Sequence, residues 1–286
     1  MDKGAPMMQP RVSESPIDCA ILVRNNLERD ARVEKEARAL SASGMNVVRV
    51  GIIVNTDDLA DEVTSFDRII RVRTIAQRPD NDPRPPRTTA GQPGKDHYSG
   101  VIGSCRHWAG RMRENLMIAR AVRPMRPRVV VACDLTTLLA GYLLRRAGSV
   151  LVYDAHELFT ETPGRSRTYK TLYGLTERIL IGRADLVVTV SGPRADELAR
   201  RYRIARPLVI VNGPPTCGTA PTEVASPVRF LYQGGLQGSR YLPELVRAMA
   251  IVDENAHLTI QGFGPERERL AALVEEHGID GKVSFI

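Results

Sequence analysis

Residues 128–161, RVVVACDLTTLLAGYLLRRAGSVLVYDAHELFTE, decide the fold. Two short runs rich in valine, Arg128–Ala132 and Val150–Tyr153, flank a segment, Leu135–Ala147, with the pattern of a helix. Continuous apolar runs of this length suit strands buried on both faces of a parallel sheet. Asp134 sits where the N-cap of the intervening helix belongs, and Gly148 where the helix stops. Ligands bind open parallel sheets at the carboxyl ends of the strands. The residues to read are therefore Cys133-Asp134 and Asp154-Ala155-His156-Glu157.

The same rhythm extends in both directions. Strands are predicted at Asp18–Val23, Asn46–Ile53, Arg68–Arg73, Leu186–Val190 and Leu208–Val211. Helices are predicted over Asp30–Ser43, Thr168–Gly182 and Pro193–Arg201, with Asp30 and Ser191 as N-caps and Gly44 as a stop. The alternation implies an α/β doubly wound domain over residues 17–211, after a loose tail at 1–16. Residues 212–227, rich in proline and glycine, read as a linker. Beyond it come strand Val228–Tyr232, helix Leu242–Val252, strand His257–Gln261, helix Glu266–His277 and strand Lys282–Ile286. These make residues 228–286 part of a second domain, and a length of 286 residues accommodates about two domains.

Composition excludes several classes. With 43% hydrophobic and 26% charged residues, the chain is neither disordered nor collagenous. No apolar run approaches the ~18 residues of a membrane span, and the amino terminus has no hydrophobic signal core. Cys19, Cys105, Cys133 and Cys217 form no CxxC pair, which argues against a zinc cluster and fits a reducing cytoplasm. The net charge of +7 is uneven: residues 68–128 hold fourteen Lys/Arg against four acids, +10, leaving 7 − 10 = −3 elsewhere. A localised basic segment without a nucleic-acid-binding motif suggests a local anionic contact, not nucleic acid.

Within that segment, residues 77–99 read as a long loop. Residues 101–123 then place Val101, Cys105, Trp108, Met112, Leu116 and Ala119 at helical spacing, beside Arg106, Arg113 and Arg120. The leading expectation is a domain helix with that stripe in the core. The alternative is a helix lying on an anionic membrane surface.

Other strand ends also carry polar groups and glycines. Asn25 and Asn26 follow the first strand, and Gly234, Gly235 and Gly238 with Arg240 follow the first strand of the second domain. The latter could cradle a phosphate or simply form a tight turn. Gly262 and Gly264 follow the next strand. His156 and Glu157 suit acid–base chemistry or binding of a substrate hydroxyl. Asp154, His156 and Glu157 lack a second His or Cys cluster to complete a metal shell, so no metal is expected.

Several stretches together resemble a known family. They are NNLERDARVEKEARALSASG (25–44), residues 128–161 and above all YDAHELF, ADLVVTVS (184–191) followed by VNGPP, FLYQGGL (230–236) and LTIQGFGPERERLAALV (258–274). They are similar to the retaining glycosyltransferases of the GT-B fold, family 4 or "group 1", over residues 17–286. The resemblance implies two Rossmann-like doubly wound domains facing across a cleft, the second only partly present. It implies transfer of a sugar from a nucleoside-diphosphate sugar to a glycan, lipid or small-molecule acceptor, with retention and with neither cofactor nor obligatory metal. By the same resemblance, Gly234, Gly235, Arg240, Gly262 and Gly264 lie on the donor side, and Asn25, Asn26 and Asp154 on the acceptor side. His156, Glu157 and Asp134 are then the catalytic candidates. The expected location is cytoplasmic, peripheral at the inner face of a membrane through residues 101–123.

Two departures qualify this. Cys133 stands where the family commonly has His. The family's Glu-x7-Glu pair has only two counterparts by spacing, Glu28/Glu36 and Glu268/Glu276, both in the wrong elements and read as solvent-facing helix charges. The donor site thus reads as incomplete, and this chain alone is expected to show no transfer. Competing readings are a nucleotide-sugar epimerase of the same fold and a non-catalytic remnant that binds glycan or membrane.

Overall fold

The computed structural model describes residues 16–28, 30–54, 61–74, 100–161, 165–213, 218, 223–224, 226–252 and 255–286. The expected tail up to residue 15, loop 77–99 and much of the linker lie outside them. The chain forms two compact units, with described residues 16–213 in the first and 218–286 in the second.

The first unit runs β1 Cys19–Leu22, α1 Ala31–Ala42, β2 Val47–Val54, β3 Glu62–Val63, β4 Arg68–Thr74, α2 Val101–Val122, β5 Val129–Cys133, α3 Leu135–Leu144, β6 Val150–Asp154, α4 Arg167–Ile181, β7 Leu186–Thr189, α5 Gly192–Tyr202 and β8 Leu208–Val209. Its sheet has the order β3-β4-β2-β1-β5-β6-β7-β8. All pairs are parallel except β3 with β4. β3 is unannounced in the sequence because its two residues are both exposed and carry no apolar run. The chain builds outward from β1 on one side and from β5 on the other, so a crevice opens between their carboxyl ends.

Right-handed crossovers put α1 on one face of the sheet and α2, α3 and α4 on the other. Along β1, Ala20 and Leu22 face the core beneath Ile118, Leu138 and Tyr173. Cys19 and Ile21 face the opposite core, with Val33 and Ala37 of α1. Central strands therefore bury both sides, which is why their sequences are continuously apolar.

The register of α2 corrects the sequence reading. Of the anticipated stripe, Ala119 is buried and Trp108 and Met112 are partly buried. Val101 and Leu116 are instead 63% and 50% exposed, and Cys105 is exposed. The helix is turned by about one residue, so that Ser104, Asn115, Ile118, Ala119 and Val122 face inward. The polar inward groups are satisfied by neighbouring helices, as buried polar groups require. Asn115 Nδ2 donates to the carbonyls of Arg111 and Thr136, and its Oδ1 accepts from Ala140 N. Trp108 Nε1 donates to Thr176 Oγ1 at 3.0 Å, and Ser104 shares a hydrogen bond with Ser166. An apolar-periodicity argument cannot see such pairings.

Caps also differ. Asp30 accepts from Val33 N as anticipated. Asp134 and Ser191 make no capping hydrogen bond through their side chains, whereas Ser166 caps α4.

The second unit runs β9 Val228–Gln233, α6 Leu242–Ile251, β10 Ala256–Gln261, α7 Arg267–Glu276 and β11 Val283–Phe285, with parallel order β11-β10-β9. Both crossovers run in one direction, so both helices cover one face. There Leu242, Val246, Leu270 and Val274 pack on Leu258 and Ile260.

Candidate functional site

The polar residues predicted at the strand ends converge beside the crevice of the first sheet. Asp134 directly follows β5 and Asp154 ends β6, and the two strands pair in register at Cys133 and Asp154. Asp134 N donates to Asp154 O at 2.9 Å, which fixes the two carboxylates relative to each other. His156, two residues beyond β6, places Nε2 2.6 Å from Asp134 Oδ2 and Nδ1 3.7 Å from Asp154 Oδ2. The second distance is too long for a hydrogen bond and acts as a charge contact. Arg194 of α5 donates to the His156 carbonyl and so ties the loop down.

Burial alone would pull the His156 pKa down. The hydrogen bond to Asp134 and the proximity of Asp154 outweigh it and push the imidazole up to about 9, so it is a cation at neutral pH. Burial raises Asp154, but His156 and the Arg32 guanidinium override it and hold its carboxyl below the usual range.

Asp134 pays for its position in backbone geometry, at φ 61° and ψ 168°. That combination is essentially confined to glycine and costs roughly 1–3 kcal/mol in other residues. The side chain that would have capped α3 instead reaches His156. Asp134 Oδ1 and His156 Nδ1 are buried and, among the described residues, have no hydrogen-bond partner. The cluster therefore presents an unfilled acceptor at the sheet edge.

α1 supplies two residues the sequence reading missed. Arg32 Nη1 bonds Asp154 Oδ2 and lies 3.5 Å from Glu36 Oε1. Glu36 is thus not the solvent-facing charge expected, whereas Glu28, Glu268 and Glu276 are exposed. Burial and then the charge of Asp154 push Glu36 up to about 7. The signal was available: Arg32 and Glu36 are spaced i, i+4 and each precedes a buried residue, Val33 and Ala37. Donor atoms of Glu36, Cys133 and Asp154 lie within 4.8 Å of one another, but Arg32 already supplies the positive charge between the two carboxylates.

A stability test follows from Glu36. Its folded pKa lies above the unfolded one near 4.5, so its contribution is present below pH 4.5 and lost as pH rises through 7. Glu36→Gln removes that loss. The variant is expected to match the parent at pH 4.5 and exceed it by about 1–2 kcal/mol at pH 8, allowing for solvent screening. Urea unfolding at the two pH values measures it, and equal differences at both would refute it.

The remaining anticipated residues are less connected. Glu157 is exposed and makes none of these contacts. Asn25 and Asn26 spend their side chains on their own loop: Asn25 Oδ1 accepts from Leu27 N and its Nδ2 donates to Asp30, while Asn26 bonds Glu28. The loop backbone is joined to β2 through Ile52 N and Asn25 O.

In the second unit the glycines bring two loops together at the carboxyl edge. Leu236 N donates to Phe263 O and Glu266 N to Leu236 O. A Cβ on Gly262 would lie 1.9 Å from Gly234 O, and one on Gly264 2.3 Å from Leu236 O, so only glycine fits at either. Gly235 is different, since its Cβ would meet only the Gln237 side chain at 3.5 Å. Arg240 is exposed, at the end of a single turn of 3₁₀ helix that precedes α6.

Comparison with known proteins agrees with this architecture. Sucrose-phosphate synthase from Thermosynechococcus elongatus superimposes with a TM-score of 0.60 at 17% identity, over 94% of this chain and 70% of that one. The lipopolysaccharide outer core galactosyltransferase WaaB gives 0.59 at 14% identity, over 94% and 67%. HepE from Anabaena, solved in complex with UDP, gives 0.58 at 13% identity, over 94% and 69%. These likenesses establish the GT-B fold. A search of the curated proteins finds no significant match. The family model for Glycosyltransferase Family 4 matches residues 50–216, more than half of the chain and including both Asp134 and His156. The chain belongs to glycosyltransferase family 4.

Proposed function

We propose that the protein transfers a sugar from a nucleoside-diphosphate sugar to a hydroxyl of a glycan, lipid or small-molecule acceptor, with retention and without an obligatory metal. The observation that carries this reading is the Asp134–His156–Asp154 cluster at the crevice of a family 4 chain. An imidazole clamped between two carboxylates is a charge-balanced, preorganised polar cluster suited to orienting the hydroxyls of a bound sugar. Asp134 Oδ1, buried and without a hydrogen-bond partner among the described residues, supports a role for this cluster in holding a polar ligand. On the second unit, Gly234, Gly235, Gly262 and Gly264 with Arg240 are the donor-side candidates; the UDP bound by HepE supports a nucleotide ligand of this kind. Arg32 among the carboxylates supports metal independence, since the charge a cation would balance is already balanced. Asn25 and Asn26 shape the acceptor-side loop. The epimerase alternative is not favoured by the family match.

The test is product analysis. Protein expressed from its full reading frame, given UDP- and GDP-sugars with glycan and lipid acceptors, is expected to release nucleoside diphosphate and form a product with the donor's anomeric configuration. Interconversion of donor sugars without transfer would overturn the reading, and an inverted product would overturn retention.

A further inference from the structure

The turned register of α2 leaves three of its larger aliphatic side chains outside. Val101 is 63% exposed, Ile102 71% and Leu116 50%. Arg106, Arg113 and Arg120 are exposed along the same helix. The helix has a single acid, Glu114, and it is paired with Arg24 and Arg111. The neighbouring helix repeats the arrangement. α4 packs on α2 through Trp108–Thr176 and His107–Tyr173, on the same side of the sheet. It leaves Leu175 and Ile179 more than half exposed, with Arg167 and Arg178 also outside. Its only acid, Glu177, is buried between Tyr153 and Tyr202. Two packed helices of one unit thus expose aliphatic side chains and arginines, and no unpaired carboxylate.

From this we infer that the outward side of α2 and α4 is a docking surface for an anionic lipid bilayer. Guanidinium groups meet headgroup phosphates, while isoleucine and leucine enter the acyl boundary. A phosphate-bearing polymer would engage the arginines but give the aliphatic side chains nothing to bury against. Among the described residues no helix is long and apolar enough to cross a membrane, so the contact is peripheral. The inference is independent of the transfer chemistry, because its readout is vesicle binding.

The full-length protein is mixed with phosphatidylcholine vesicles or with phosphatidylcholine–phosphatidylglycerol vesicles at 7:3. Partitioning, read by vesicle co-sedimentation, is expected to be about a hundred-fold stronger on the anionic vesicles. A basic residue near an anionic surface contributes roughly five-fold. The triple variant Arg106→Gln, Arg113→Gln, Arg120→Gln should therefore lose about a hundred-fold. Ile102→Ser with Leu116→Ser should lose roughly ten-fold at unchanged charge. These positions are exposed, and circular dichroism checks that each variant folds. Equal partitioning on neutral vesicles, or binding unchanged in both variants, would overturn the inference. So would self-association abolished by Ile102→Ser and Leu116→Ser without any vesicle binding, which assigns the face to a second copy of the chain.

Discussion

His156→Ala is expected to lower kcat/KM for sugar transfer by roughly 10²–10³, the range for losing one preorganised electrostatic group. The imidazole holds its charge because two carboxylates flank it, and Asp134 is placed to do this by a backbone conformation that other residues avoid. Removing the ring leaves Asp134 and Asp154 facing each other with only Arg32 between them and α1. Asp134→Ala should cost nearly as much, and the double variant little more than either alone, because the two act as one unit.

Asp134→Gly separates function from fold. Glycine adopts φ 61° and ψ 168° without the strain that aspartate bears there, which offsets the loss of the Asp134–His156 pair, so the variant should melt close to the parent's temperature. It should lose activity to the same extent as His156→Ala. A folded but inactive variant is the pattern for strain retained for function rather than for the fold. A variant both less stable and fully active would show that the Asp134–His156 pair serves the fold.

Most of the fold was legible because parallel strands buried on both sides are written as continuous apolar runs. Val129–Cys133 and Val150–Asp154 lie within a residue of their predicted ends. His156 and Asp134 were legible for a related reason, since topology places the ends of such strands at the ligand edge. What could not be read was whatever depends on a partner distant in sequence. Asn115 belongs inside only because Ala140 and Thr136 meet it, so periodicity gave α2 the wrong face. Glu36 belongs to the site only because Arg32 bridges it to Asp154, 118 positions later by number (154 − 36). Charged residues on an amphipathic helix are solvated by default, and nothing local marks the exception.

Gly262→Ala is expected to unfold the second unit while sparing the first. The added methyl would sit 1.9 Å from the Gly234 carbonyl, and its neighbour is backbone, so no side chain can swing aside. The loops after β9 and β10 would have to separate, breaking Gly234 N–Gln261 O and Leu236 N–Phe263 O. Those contacts, with Leu236 buried beneath them, close one end of the core over β9, β10 and β11. A cost of about 4 kcal/mol or more is typical of severe backbone and overpacking clashes, enough to open this edge. Hydrogen exchange should then show β9, β10 and β11 unprotected, with β1, β5 and β6 as protected as before. Gly235→Ala supplies the contrast, because its methyl meets only the flexible end of Gln237 at 3.5 Å. That variant should keep full protection in β9–β11, and a loss of nucleotide binding in it would assign Gly235 to the donor. If Gly262→Ala leaves those strands protected, the two loops are free to part, and the close approach at Gly262 is not what holds this edge together.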